Sequence, residues 1–126
     1  MKENNVFTQY IEENLKYTKK QIYGNHTKYF LDEKIFCIIY TGNEKHLILK
    51  ANGKFNHELR KEFPETVLPS YAINGYHWNM IFTNRDLPDN IIFKLIDTSY
   101  NEVIGNMTKR QKGLYQYIIN SINSKK

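Results

Sequence analysis

The stretch PSYAINGYHWNMIFTNRDLPDNIIFKLIDTSYNEV, residues 69–103, decides the fold. Asn74-Gly75 stands between two β-type runs. Asn-Gly is the strongest two-residue hairpin signal, because a type I′ turn needs both central residues at positive φ. Such a turn sets Tyr71 opposite Trp78 and Ser70 opposite Asn79. Alternation then puts Tyr71, Ile73, Tyr76, Trp78, Met80 and Phe82 on a large aromatic face, with Ser70, Ala72, His77, Asn79 and Ile81 on a smaller, mostly polar one. Asn84-Arg85-Asp86 reads as a turn. Leu87-Pro88-Asp89 then opens a helix, since proline suits the first helical position and Asp89 puts negative charge at the positive end of the dipole. Ile91, Ile92, Leu95, Ile96, Ser99, Tyr100 and Val103 recur at helical spacing, and Gly105-Asn106 is the stop.

Upstream, Val6, Phe7, Tyr10, Ile11 and Leu15 predict an amphipathic helix over about residues 4–18, with Lys16, Lys19 and Lys20 at its C-terminal end and Gly24-Asn25 as its break. Three strands follow, over about residues 27–31, 34–40 and 46–50. The second is apolar on both faces, with Ile35, Cys37 and Ile39 on one and Phe36, Ile38 and Tyr40 on the other, as in a central strand covered on both sides. Asn52 is a helix cap, Phe55, Leu59 and Phe63 face inward, and Pro64 ends that helix. The expected fold is α+β: a two-layer domain with an antiparallel sheet of about five strands and helices on one face, in the order α-β-β-β-α-β-β-α. Residues 1–105 form this domain. Residues 106–126 add a basic helix, opened by the capping box Thr108-x-x-Gln111 and striped by Leu114, Tyr115, Ile118, Ile119 and Ile122. That stripe covers the open sheet face or pairs with a second copy.

Composition narrows the function. A chain of 126 residues is one domain. Its longest apolar run, Ile35 to Tyr40, has six residues, too short for a membrane span or a signal peptide, so a cytoplasmic protein without membrane contact is expected. The lone Cys37 sits in that run and reads as a buried, inert thiol. His26, His46, His57 and His77 lack metal-ligand spacing, and there is no glycine-rich phosphate loop and no Gly-x-Ser-x-Gly elbow, so neither an enzyme nor a cofactor is expected. The net charge of +5 is unevenly placed. Residues 1–105 hold 13 Lys/Arg and 13 Asp/Glu, so all of the excess lies in Lys109, Arg110, Lys112, Lys125 and Lys126. A second local excess comprises Lys45, Lys50, Lys54, Arg60 and Lys61, with Glu58 the one acid among them. Basic patches are the footprint of nucleic-acid binding.

Tyr71, His77-Trp78-Asn79, Leu87-Pro88-Asp89, Leu95-Ile96-Asp97 and Ser99-Tyr100, in that order, resemble the MmcQ/YjbR family. Upstream, Leu49-Lys50, Glu58-Leu59-Arg60 and Phe63-Pro64 are similar to the same family's strand-to-helix segment. The resemblance covers about residues 27–105. It implies a two-layer fold compared with secretion chaperones and frataxin, and DNA binding through paired β-hairpin wings. On this chain the implied wings are the turns at residues 41–44 and 74–76. The expected backbone contacts are Lys45, Lys50, Lys54, Arg60, Lys61 and Arg85, with Lys109, Arg110 and Lys112 as an added basic edge. Ser70, Asn74, His77 and Asn79 form a polar hairpin cluster that either holds the loop backbone or receives an anionic group. Trp78 with Tyr71 either packs in the core or offers bases a stacking surface. The expected partner is DNA, bound with low sequence specificity by a monomer or weak homodimer. Two alternatives are a protein-interaction module using the apolar stripe or a sheet edge, and a frataxin-like iron handler, for which only Glu12 and Glu13 supply acids.

Overall fold

The computed structural model describes residues 5–42, 45–70 and 73–106. In chain order these form α1 (Val6–Asn14), β1 (Thr18–Ile22), β2 (His26–Leu31), β3 (Lys34–Tyr40), β4 (His46–Lys50), α2 (Gly53–Glu62), β5 (Val67–Pro69), β6 (Trp78–Phe82) and α3 (Asp89–Gly105). The sheet has six strands in the order β1-β2-β3-β4-β6-β5, every neighbouring pair antiparallel. The α+β expectation holds, with one strand more than the pattern suggested. The predicted helix at residues 106–126 lies outside the described residues, apart from Asn106, which caps α3.

The extra strand comes from the segment expected to finish the first helix. Asn5 caps α1, its Oδ1 accepting from the amides of Phe7 at 2.9 Å and Thr8 at 3.2 Å. The helix ends at Asn14, and Leu15 is extended. Tyr17 has φ 63, a left-handed kink that turns the chain into β1. The carbonyl of Lys16 beside it accepts a 2.6 Å bond from Tyr100 Oη on α3. Thr-Lys-Lys-Gln-Ile reads poorly as a strand by propensity. At the sheet edge, however, lysines are the residues that discourage a further strand from pairing.

Two registers differ from expectation. In β3, Tyr29 pairs with Cys37 but Phe30 pairs with Ile35, so Phe36 is an extra, bulged residue. Phe36, Cys37 and Ile39 therefore all belong to the main core, while Ile35, Ile38 and Tyr40 belong to the other face. In the hairpin, Pro69 rather than Ser70 pairs with Asn79. The link is not a two-residue turn. Asn74 O accepts from both His77 N at 3.1 Å and Trp78 N at 2.9 Å, and Asn74 Oδ1 accepts from Tyr76 N at 3.0 Å. Asn74 thus caps a helix-like turn, a local bonding habit of asparagine that competes with the type I′ geometry. The described positive-φ residues are Tyr17, Asp32 and Asn84, and Asn74 is not among them.

The core lies between the sheet and the helices. α3 crosses β3 and β4 and buries Ile92, Leu95, Ile96, Tyr100, Val103 and Ile104. Ser99, fully buried, joins it to the sheet: its Oγ donates to Phe36 O at 2.5 Å and accepts from Lys50 N at 2.8 Å. The first partner is the carbonyl of the bulged residue, and the second is the last amide of β4. α1 packs on α3 through Tyr10, stacked on Phe93 at 4.5 Å, with its hydroxyl 2.8 and 2.9 Å from the oxygens of Asp97. Burial, then the Asp97 bond, raises the Tyr10 pKa. Burial likewise raises the Cys37 thiol well above its ordinary value, which agrees with an inert side chain.

Ser99→Ala leaves the Phe36 carbonyl and the Lys50 amide without their bridging partner. It is expected to cost about 1–3 kcal/mol in urea denaturation, and an unchanged midpoint would show that the bridge is dispensable. Glu12 accepts from Lys20 at 2.7 Å and Tyr29 at 2.7 Å, and these bonds lower its pKa. Its contribution is therefore present above the unfolded carboxyl pKa and is lost as pH falls through the lower folded value. Glu12→Gln should flatten that acid limb of stability against pH, measured by denaturant titration at several acidic pH values.

Candidate nucleic-acid interface

One end of the sheet gathers three turns. Gly24-Asn25 joins β1 to β2, with Tyr23 N donating to His26 O at 2.8 Å across it. The β3–β4 turn begins at Thr41, whose amide donates to Asn25 O at 3.0 Å, so the two hairpin ends lie side by side. The chain leaving β6 joins them, Thr83 N donating to Lys45 O at 3.2 Å.

The strand registers place one ring from each of β2, β3, β4 and β6 beside this end. His26 pairs with Tyr40, Tyr40 with His46, and His46 with Phe82. The rings form a continuous row: Tyr23–His26 at 4.7 Å, His26–Tyr40 at 4.8 Å, Tyr40–His46 at 4.4 Å and His46–Phe82 at 5.4 Å. Cations close both ends of the row. Lys28 Nζ lies 5.2 Å from the Tyr23 centroid, and the Arg85 guanidinium lies 4.2 Å from that of Phe82. His26 is held by Asn25, Nδ1 to Oδ1 at 2.8 Å. With Ile38, Ile48 and Trp78 clustered away from the main core, alternation puts Lys19, Lys28 and Lys50 on this same outer face. Among the described residues, no carboxylate occupies an outward strand position there.

The expected contact residues divide between the two faces. Lys45 and Arg85 both lie at the three-turn end, where the Arg85 guanidinium covers Phe82 and donates to Glu65 O. Lys50 shares the outer face but stands at the far end of β4, 5.9 Å from the Trp78 ring, about 17 Å along the strand from Lys45. Lys54 and Lys61 are exposed on α2, whose Leu59 packs against the main core on the opposite face. Arg60 is committed internally: its Nε donates to Asn79 Oδ1 at 2.7 Å, and its Nη2 donates to Gly75 O and, at 3.4 Å, to Trp78 O. Lys109, Arg110 and Lys112 lie outside the described residues. The implied wings also separate. The turn that begins at Thr41 sits at the three-turn end, whereas residues 74–76 precede Trp78, the partner of Lys50, at the other.

Within the polar hairpin cluster, the side chains of Asn74 and Asn79 are tied into hydrogen bonds, while the buried Nδ1 of His77 has no partner among the described residues. Asn79 is 2 % exposed and bonds Asn56, itself fully buried, through Nδ2 to Oδ1 at 2.7 Å. Asn56 Nδ2 in turn donates to Ala51 O and Tyr76 O, both at 3.1 Å. Ser70 is buried, Asn74 caps its turn, and His77 receives the Ala51 amide on its carbonyl at 2.8 Å. Trp78 is 8 % exposed, which removes it as a stacking surface for bases. Tyr71 lies outside the described residues. Tyr23, His26 and Lys28 were missed, because their row forms only once β1 exists. Gly24-Asn25 before an alternating run was the available signal, since Gly-Asn is itself a hairpin dipeptide.

The YjbR family model matches residues 14–102, most of the described domain. The chain belongs to the YjbR family. The YjbR protein of Escherichia coli K12 is 25% identical over 89 residues, covering 70% of this chain and 75% of that protein. Among solved structures, a Deinococcus radiodurans protein with the family-model domain DUF419 is similar at TM-score 0.75 and 18% identity, over 84% of this chain and 83% of its own. A Pseudomonas syringae protein is similar at TM-score 0.61 and 18% identity, over 78% of this chain and 96% of its own. Both structural likenesses concern the fold.

Arg60→Met removes a charged donor from three oxygens and leaves Asn79 Oδ1 unmatched. It is expected to lower stability by about 2–3 kcal/mol and to speed amide exchange at His77 and Trp78. Exchange at wild-type rates there would show that Arg60 does not hold the loop.

Proposed function

We propose that this YjbR-family protein binds DNA with low sequence specificity, without catalysis or a cofactor, in the cytoplasm. The wings are the ends of the β1–β2 and β3–β4 hairpins rather than the Asn74-Gly75 loop. The observation that carries this reading is the pairing of the two hairpin ends, tied by Thr41 to Asn25, with Lys45 and Arg85 at the same end and Lys28 on the adjoining sheet face, whose described strand positions carry no carboxylate. Cations on protruding turns reach phosphates without reading bases. The stacked rings support the turns, and their faces are occupied by one another.

A second reading rests on a groove on the helix side. This groove, of about 830 Å³, is lined by Leu15, Phe55, Leu59, Phe63, Ile91 and Leu95 among others, and Phe55 is 42% exposed. Apolar grooves of this size take ligands or partner segments, which fits a protein-interaction module. Phe55→Asp would disrupt that function and leave DNA binding intact.

Each phosphate neutralised contributes about −0.9 to the slope of log K against log salt. Three contacts therefore predict a slope near −2.7 and a loss of about 40-fold between 50 and 200 mM salt in a mobility-shift titration. Lys28→Gln and Lys45→Gln should each reduce the slope by about one contact, while Lys54→Gln and Lys61→Gln leave it unchanged. Absence of any shift at low salt would end the DNA reading.

A further inference from the structure

We propose that residues 107–126 of this same chain cover the outer face of the sheet. All three helices with described positions pack on the other face or on one another, so they leave this one uncovered. Yet Ile38 and Ile48 are each 5% exposed and Trp78 is 8% exposed, with Ile35, Tyr40 and Met80 packed around them. A bare sheet face leaves its central side chains in water, and burial this deep calls for a covering layer.

Three observations select the occupant. The segment follows α3 directly in sequence and carries Leu114, Tyr115, Ile118, Ile119 and Ile122 at helical spacing. At about 1.5 Å per residue, positions 114–122 span roughly 12 Å as a helix. The apolar patch crosses β3, β4 and β6, and two strand spacings amount to about 10 Å, so the lengths agree. The third observation is charge. A second copy stacked face to face would bring Lys19, Lys28 and Lys50 against their own equivalents, whereas the stripe from 114 to 122 is uncharged. The five cations of residues 106–126 would then edge the sheet face that carries Lys28 and Lys50, with no carboxylate from the strands between them.

The inference holds independently of DNA binding, and Trp78 makes it testable because it is the only tryptophan. A photo-crosslinking residue replaces Tyr115 in the full chain, and isotopically light and heavy protein are mixed before irradiation. Adducts on the peptides of β3, β4 or β6 within one isotopic chain are expected. Adducts joining light to heavy chains would assign the face to a second copy, and adducts on the helices, or none, would place the segment elsewhere; each result overturns the proposal. In parallel, the full-chain double variant Ile118→Lys, Ile119→Lys should move Trp78 emission toward that of the unfolded chain while the far-ultraviolet dichroism is kept. Unchanged emission from a folded variant would also overturn it.

Discussion

A single hydroxyl fixes how the helix layer sits on the sheet. Ser99 lies where α3 crosses the bulge of β3 and the end of β4, and it meets one main-chain group from each. The bulge takes the Phe36 carbonyl out of the regular ladder, and a buried carbonyl without a partner is costly. Ser99 satisfies it and locks the helix to two strands at once. Because the bulge also turns Phe36 and Cys37 to the same side, this region sets which side chains of β3 enter the core and which face outward.

The outward set follows from that register. Tyr40 sits between His26 and His46 because the pairings of β2–β3 and β3–β4 place them opposite it, and Phe82 extends the row through β4–β6. Stacked rings at these spacings stiffen the end of the sheet from which the hairpin turns project. A one-residue slip in any of these pairs would send a ring into the core and break the row. The function proposed for the turns thus depends on core packing some distance from them.

At the opposite end, buried polar groups do comparable work. Arg60, Asn79 and Asn56 satisfy one another and three loop carbonyls, so Arg60, one of the cations expected to contact nucleic acid, is used to hold a loop. Gly53 lies beside the same loop: a Cβ there would come within 2.2 Å of the Tyr76 ring, which is largely exposed and would have to swing aside. Charge counted along the chain gave Arg60 the same weight as Lys45. Burial separates them.

The sequence by itself determined the elements whose signals are local: the apolar stripe of α3, the Asn52 cap, the strands β2 to β4, and the ordered motifs that mark the YjbR family. It also placed Cys37 in the core, where the structure has it buried. Only the tertiary structure decided β1, the bulge at Phe36 and the register of the β5–β6 hairpin. The physical reason is that each depends on a partner distant in the chain. Thr18–Ile22 becomes a strand because β2 offers an unpaired edge, and the Tyr100 hydroxyl secures the turn before it. Asn74-Gly75 gives up its preferred turn to the bonding of Asn74 itself, and the distant Arg60 and Asn56 then hold the Gly75 and Tyr76 carbonyls in the loop that results. The candidate site needed both kinds of information, since its cations are legible in sequence and their neighbours are not.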